Sequence, residues 1–387
     1  MTAEVMQHVD ETRLKTERVR RLQEQMKQRD LGGLYLTEGV NVRYVVGTKI
    51  PGGSVFVPPD GEPLAFVRPR DMGYVKLKHG NVRTPFYNSH LTWEAQAEGQ
   101  LKGFAEGMAQ LMARAGGIGE QLGVDTLDTA GFLALDRAGI RIADALPALE
   151  LARSIKTQDE VQIYRRMGEQ YAETVKAFHA AIRPGATENE LAATVVSAWY
   201  SAGGEEICQL NVCAGENMNP WRRWPTQRRL QEGEFVGIDL HGRGAAGVRG
   251  DASRTFLVGD KPTAEQHDLY RRAHDYLLGA ADAFQAGRSY AEAMDRVPKV
   301  PERYEQQLLN YSIAHCLGMT PSGYPTVDKD KPPLQDVLQP NQVLAIESYF
   351  GEEGGSTAVK LEEMVLVQDG SPERLSAASP YDERLVA

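Results

Sequence analysis

Phe235-Val236-Gly237-Ile238-Asp239 and Asp251-Ala252-Ser253-Arg254-Thr255-Phe256-Leu257-Val258 are two apolar runs, each with an aspartate at one end. The first reads as a buried strand that Asp239 closes, the second as a return strand that Asp251 opens. The pattern recurs downstream. Glu347 closes Val343-Leu344-Ala345-Ile346, and Glu362 follows Val359-Lys360-Leu361 ahead of Met364-Val365-Leu366-Val367. A carboxylate at the end of a core strand is costly to bury unless something positive neutralises it. Four such acids and the imidazole of His315 suit a pair of divalent cations better than a set of ion pairs.

Around these strands the chain carries a repeated helical grammar. Thr157-x-x-Glu160 is a capping box that opens a helix to about Ile182, and Thr187-x-x-Glu190 caps a second one after Pro184-Gly185. Thr263-x-x-Gln266 opens a helix to about Phe284, and Ser289-x-x-Glu292 starts another after Gly287. Two copies of long helix, glycine turn and short capped helix predict an internal duplication. Such a protein places helices on one side of a curved antiparallel sheet, with a site in the groove between the halves.

The first part of the chain reads differently. A helix spans about Asp10 to Asp30, with Leu14, Val19, Leu22 and Met26 at helical spacing. Short β-like runs follow at Leu34–Leu36, Val42–Val46, Ser54–Val57 and Leu64–Val67, and Pro58-Pro59-Asp60-Gly61 is a hairpin signal. Helices near Trp93–Ala115 and Ala130–Ala138 and a strand at Leu122–Val124 complete an α/β domain. The expected fold class is α+β, with an N-terminal domain over 1–155 and a second over 156–387, the boundary falling between Leu149 and Lys156.

At 387 residues the chain can bury two cores. A net charge of −10 argues against binding nucleic acid or an anionic membrane surface. No apolar stretch is long enough to span a bilayer, and the charged N-terminus does not read as a secretory signal. Three cysteines without a CxxC pair point away from a disulfide framework and toward a reducing cytoplasm. Cys316, beside His315, reads as a packed thiol rather than a nucleophile.

The set Asp239, Asp251-Ala252-Ser253-Arg254-Thr255, His315-Cys316-Leu317-Gly318-Met319, Glu347 and Leu361-Glu362 resembles the pita-bread superfamily of methionine aminopeptidase, aminopeptidase P, prolidase and creatinase. The first part looks like a creatinase-type N-domain, and Ser154-Ile155-Lys156 with Glu160 like the usual entry to the catalytic domain. The resemblance implies two divalent ions, with Asp251 and Glu362 bridging, Asp239 on one ion, and His315 and Glu347 on the other. It also implies a homodimer. Hard, carboxylate-rich ligation with an imidazole favours Mn, Fe, Co or Zn. Paired ions of this kind acidify a bound water and polarise a carbonyl.

Departures narrow the likeness. The proline-directed peptidases carry a histidine where this chain has Arg222, and another beyond the His315 position, where Thr320-Pro321-Ser322-Gly323-Tyr324-Pro325 stands here. Asn219-Pro220-Trp221, the Asp239-to-Asp251 spacing and Lys360-Leu361-Glu362-Glu363 are similar to the dimethylsulfoniopropionate lyase branch. That branch has an aspartate at the position of His241, and its presumed base falls on Pro321, which cannot abstract a proton.

His241 shares a strand face with Asp239, since alternate residues point the same way. It is open as a further ligand, a proton carrier or a rim residue. Trp221, Arg222, Arg223 and Trp224 form an aromatic, basic cluster suited to an anionic or quaternary substrate, or to packing a surface loop. Tyr324 and Tyr349 are pocket-lining candidates. Alternation turns Glu363 away from the metal face toward a salt bridge, and Arg254 reads as a support for a neighbouring carboxylate. The expectation is a metal-dependent hydrolase cleaving a C–N bond in a small amide, dipeptide or amino-acid derivative. A lyase on the same site is the rival, and a non-catalytic binding protein the third reading.

Overall fold

The computed structural model describes residues 9–77, 79–84, 94–117, 120–221, 223–308, 313–320, 323–327 and 336–386. They form two compact units, one of Asp10–Arg153 and one built from Ser154–Ala387. Among the described residues no helix is long and apolar enough to cross a membrane.

The first unit is a six-stranded mixed sheet in the order Val82–Arg83, Leu64–Phe66, Ser54–Val57, Leu31–Leu36, Gln121–Val124, Ile142–Asp144. The Pro58–Gly61 turn joins antiparallel neighbours, as its composition requires. One element departs from expectation: Val42–Val46 is not a strand but the end of a helix, Gly39–Val46. Every residue from Asn41 to Val46 is buried, so no polar face exposes the helical period. What selects the helix lies far away in sequence. The Asp125 carboxylate accepts from Glu38 N at 3.1 Å and Asn41 Nδ2 at 2.8 Å, fixing the first turn. Gly47, at φ 83°, ends it in the left-handed conformation that glycine adopts without a Cβ clash.

The second unit keeps all four capping boxes. They open the helices Gln158–Ala181, Glu188–Ser201, Ala264–Ala283 and Tyr290–Met294, with both reciprocal hydrogen bonds formed in each. Its strands form two antiparallel sheets. One holds Glu206–Ala214, Phe235–Arg243 and Arg249–Leu257; the other runs Gly323–Val327, Ala314–Cys316, Val343–Gly351, Ala358–Leu366, Glu373–Arg374. They meet along a stitched seam. Thr255 Oγ1 donates to Lys360 O at 2.8 Å and accepts from Lys360 N at 3.1 Å, doing for the edge what a backbone partner would do. Helix Ala264–Ala283 packs Tyr270, Ala273, Tyr276, Leu277 and Ala280 into an apolar core shared with Tyr349, Phe350 and Leu361.

The strands run longer than the apolar runs suggest, so the acids lie inside them rather than at their ends. Asp239 falls within Phe235–Arg243, Asp251 within Arg249–Leu257, Glu347 within Val343–Gly351 and Glu362 within Ala358–Leu366. An apolar run stops where the site-facing positions turn polar; the hydrogen-bonded ladder continues past that point.

Candidate metal centre

Strand register brings five of the predicted residues and His241 together. His241 sits opposite Asp251, Asp239 opposite Ser253, Glu347 opposite Glu362, and His315 opposite Ala345. Alternation then aims odd-numbered residues of four strands and even-numbered residues of Ala358–Leu366 at one volume. His241 Nδ1 lies 2.6 Å from Asp251 Oδ2, and its Nε2 lies 3.4 Å from Asp239 Oδ2. His315 Nε2 faces Glu347 Oε1 at 3.5 Å, Asp251 Oδ2 at 3.8 Å and Glu362 Oε1 at 4.0 Å. Asp251 therefore belongs to two clusters, one with Asp239 and His241 and one with His315 and Glu362.

These residues fit a cation-binding role by a test internal to the structure. Buried polar atoms are normally hydrogen-bonded. Here Asp251 Oδ1, Glu362 Oε1, His241 Nε2 and His315 Nδ1 are buried without a hydrogen-bond partner among the described residues. The two carboxylate oxygens belong to acids crowded against other acids, where a cation is the partner that suits them. The electrostatics agree. Burial, and then the nearby Asp251 charge, push the Glu362 carboxyl up to about 8. Burial alone would lower the His241 imidazole, but the Asp251 and Asp239 carboxylates outweigh it and raise it to about 11. Without a cation the cluster has to hold protons.

Two more groups complete the site. Ser253 Oγ lies 2.7 Å from Asp239 Oδ1 and 3.0 Å from Glu362 Oε2, tying acids from both sheets. Lys360, opposite Tyr349 in the register, donates from Nζ to Glu347 Oε2 at 2.9 Å and Glu362 Oε2 at 3.3 Å. Sequence reasoning passed over Lys360, although two residues before Glu362 is a same-face position in any strand. Arg249, two residues before Asp251, was missed for the same reason. Its Nη2 lies 2.5 Å from His241 Nδ1.

Opposite faces behave as alternation demands. Glu363 points away from the acids and pairs with the buried guanidinium of Arg254 at 2.5 Å. Arg254 also donates to the carbonyl oxygens of Ser253 and Glu362, holding the backbone beneath two site residues. Cys316 is buried and takes a hydrogen bond from Lys156 Nζ at 3.3 Å.

The proposed substrate contacts fare unequally. The indole of Trp221 is buried against Gly237, on the site face two residues before Asp239; a Cβ at Gly237 would come within 2.9 Å of the ring. Its Nε1 has no hydrogen-bond partner among the described residues. Arg223 spends one donor on Asn217 Oδ1 at 2.8 Å, while Trp224 is 71% exposed. Tyr349 is fully buried, and its hydroxyl bonds Met218 O at 3.0 Å and Asn219 Oδ1 at 3.1 Å, so its polar end supports the loop before Trp221. Tyr324 lies in strand Gly323–Val327, opposite no ligand position. Arg222 and Pro321 lie outside the described residues. The loop itself is held by Glu188, whose carboxylate accepts from Ala214 N, Asn217 Nδ2 and both Thr226 N and Oγ1.

A duplicated helix-and-sheet unit that converges four strand acids and a histidine on one hollow is the pita-bread architecture of metal-dependent enzymes. The chain belongs to metallopeptidase family M24, whose profile matches residues 162–369, and the creatinase/prolidase N-terminal domain matches residues 18–155. It is 25% identical over 398 residues to a dimethylsulfoniopropionate lyase, DddP, of Roseovarius nubinhibens, covering 97% of this chain and 88% of that one. It is 22% identical over 365 residues to a Xaa-Pro dipeptidase of Pyrococcus furiosus, covering 93% and 97%. In fold it matches a prolidase of Thermococcus sibiricus with a TM-score of 0.78 at 20% identity, over 95% of this chain and 97% of the other.

Proposed function

We propose that residues 156–387 form the catalytic domain of a dinuclear metal-dependent hydrolase. It would cleave a C–N bond in a small amide, dipeptide or amino-acid derivative. The observation that carries this reading is the sharing of Asp251 between two clusters, each with its own histidine and a further acid. Asp239 and Asp251 would hold one ion, with His241 beside it as proton carrier and not as ligand; Asp251, His315, Glu347 and Glu362 would hold the other. Mn, Fe, Co or Zn would suit these donors, and the pair would supply an acidified water and Lewis acidity toward a carbonyl.

The chain's own residues do the rest. Ser253 and Lys360 hold the Asp239, Glu347 and Glu362 oxygens in place, which sets the ligands before substrate arrives. His241 is assigned the movement of protons. Its side chain is 14% exposed, whereas no other of the six exceeds a tenth, so it alone reaches toward the substrate side. A cation among Asp239 and Asp251 would offset the charge that raises its pKa and bring it back toward neutrality, the useful range for a proton carrier. Trp221 is assigned a wall of the substrate space, with Arg222, Arg223 and Tyr324 as its further candidates; Tyr349, fully buried with its hydroxyl on Met218 and Asn219, supports the loop that carries Trp221.

The experiment begins with metal analysis of the purified chain after incubation with Zn, Mn, Fe or Co, followed by assay on a panel of dipeptides and small amides. Absence of any bound divalent ion, or turnover undiminished in Asp251→Ala, would end the reading. A second reading, C–S elimination, rests on the similarity to the lyase DddP along nearly the whole chain. Gas-phase detection of dimethyl sulfide from dimethylsulfoniopropionate separates the two. Pro321, standing six residues past His315, leads us to expect none.

A further inference from the structure

Arg249 is 3% exposed, yet its guanidinium has no ion-pair partner among the described residues. Among the described residues its Nε and Nη1 have no hydrogen-bond partner, while Nη2 lies against His241 Nδ1. That contact does not satisfy it. Nδ1 also lies 2.6 Å from Asp251 Oδ2. An imidazole nitrogen that donates a proton to a carboxylate cannot accept one from an arginine. A buried cation with unmatched donors is among the costlier arrangements a core can hold. The other buried arginine on this strand, Arg254, shows the usual solution: a carboxylate at 2.5 Å and backbone carbonyls around it.

Position gives the arrangement a purpose. Arg249, Asp251 and Ser253 alternate onto one face, so the guanidinium lines the same hollow as the acids. It also stands beside His241, the least buried side chain of the centre. We infer that Arg249 anchors a carboxylate, or another planar oxyanion, of the substrate next to the metal centre. This rests on the metal reading above and goes beyond it by fixing the charge and size of the substrate. An arginine fork matches a carboxylate in shape and donor spacing. Arg249 and Asp251 are one two-residue step apart, about 7 Å along the strand. The anionic group therefore sits within a few bonds of the reacting carbonyl, as in a small amino-acid derivative and not a long neutral amide.

The test uses the full chain and two probes that differ in charge alone, N-acetylglycine and N-acetylglycinamide. Both are titrated calorimetrically into wild type, Arg249→Gln and Arg249→Lys, each metal-free and zinc-loaded, with zinc content measured first. Wild type is expected to prefer the acid by about tenfold or more, the worth of one charge-assisted bond. Arg249→Gln should lose that preference to within about twofold, keep its zinc, and melt no lower than wild type; Arg249→Lys should retain part of it. An unchanged preference in Arg249→Gln, no preference in wild type, or a melting point lowered by about 5 °C or more in Arg249→Gln would overturn the inference. Failure of wild type to take up zinc would instead overturn the metal reading, and the metal-free titrations would still decide Arg249.

Discussion

Lys360 Nζ lies 2.9 Å from Oε2 of Glu347, so an ammonium ion is built into the ring of acids that the fold assembles. It is buried, and its charge is held on by Glu347 and Glu362 against the burial that would remove it. With no dication present, Lys360 and the protons held on Glu362 and His241 offset the crowded acids. Lysine thus supports the acids while no dication is present and lowers the charge that dications have to meet.

Replacing Lys360 by Met should therefore have an effect that depends on metal. Without metal, loss of the ammonium leaves Glu347 and Glu362 uncompensated and should cost about 3 kcal/mol of folding stability. With saturating zinc most of that loss should be recovered. Urea unfolding with chelator and with zinc measures both; an equal loss in the two conditions would refute a metal-linked role.

Asp251→Asn tests the shared ligand. Each cluster loses an anionic donor at once, so bound zinc should fall from two equivalents to below one per chain, measured by elemental analysis after dialysis. Ser253→Ala removes only the hydroxyl between Asp239 and Glu362 and should weaken binding by about 10- to 100-fold, in line with other supporting residues. Loss of zinc from Ser253→Ala but not from Asp251→Asn would invert the assignment.

The pH dependence of the metal-free chain follows from two raised groups. Glu362 rises from 4.5 to about 8, so its contribution to stability is complete below 4.5 and is lost as pH climbs through 8. His241 rises from 6.5 to about 11, so its contribution is complete below 6.5 and is lost toward 11. Glu347, lowered to about 2, matters only in acid. Thermal midpoints in chelator should thus fall between pH 6 and 9 as stability declines by up to about 1.4 kcal/mol per pH unit for each group. Zinc needs the deprotonated ligands, so the gap between zinc-loaded and metal-free midpoints should widen over the same range. A constant gap would count against these residues as ligands.

Arg254→Met probes the far face. It strands the Glu363 carboxylate in the core and should cost about 3–5 kcal/mol. Because Glu363 points away from the acids, zinc stoichiometry in the folded protein should stay as in wild type. Calorimetry and elemental analysis on one preparation check both halves.

Sequence and structure divide the protein along a physical line. Capping boxes and strand parity are local: Thr157 with Glu160, or Glu362 against Glu363, can be read from a few consecutive residues because hydrogen bonds and alternation act within that span. The acids stood out by their place in apolar runs, and their order along the chain was read through its resemblance to a known family. What only the tertiary structure decided is non-local. Residues 42–46 became helix because Asp125, just past strand Gln121–Val124, holds their first turn. Lys360 and Arg249 look like ordinary surface charges in one dimension, and acquired meaning when register brought the first against Glu347 and left the second buried without a carboxylate. Burial and partnership are properties of faces that meet, and which faces meet is settled by the packing of the whole unit.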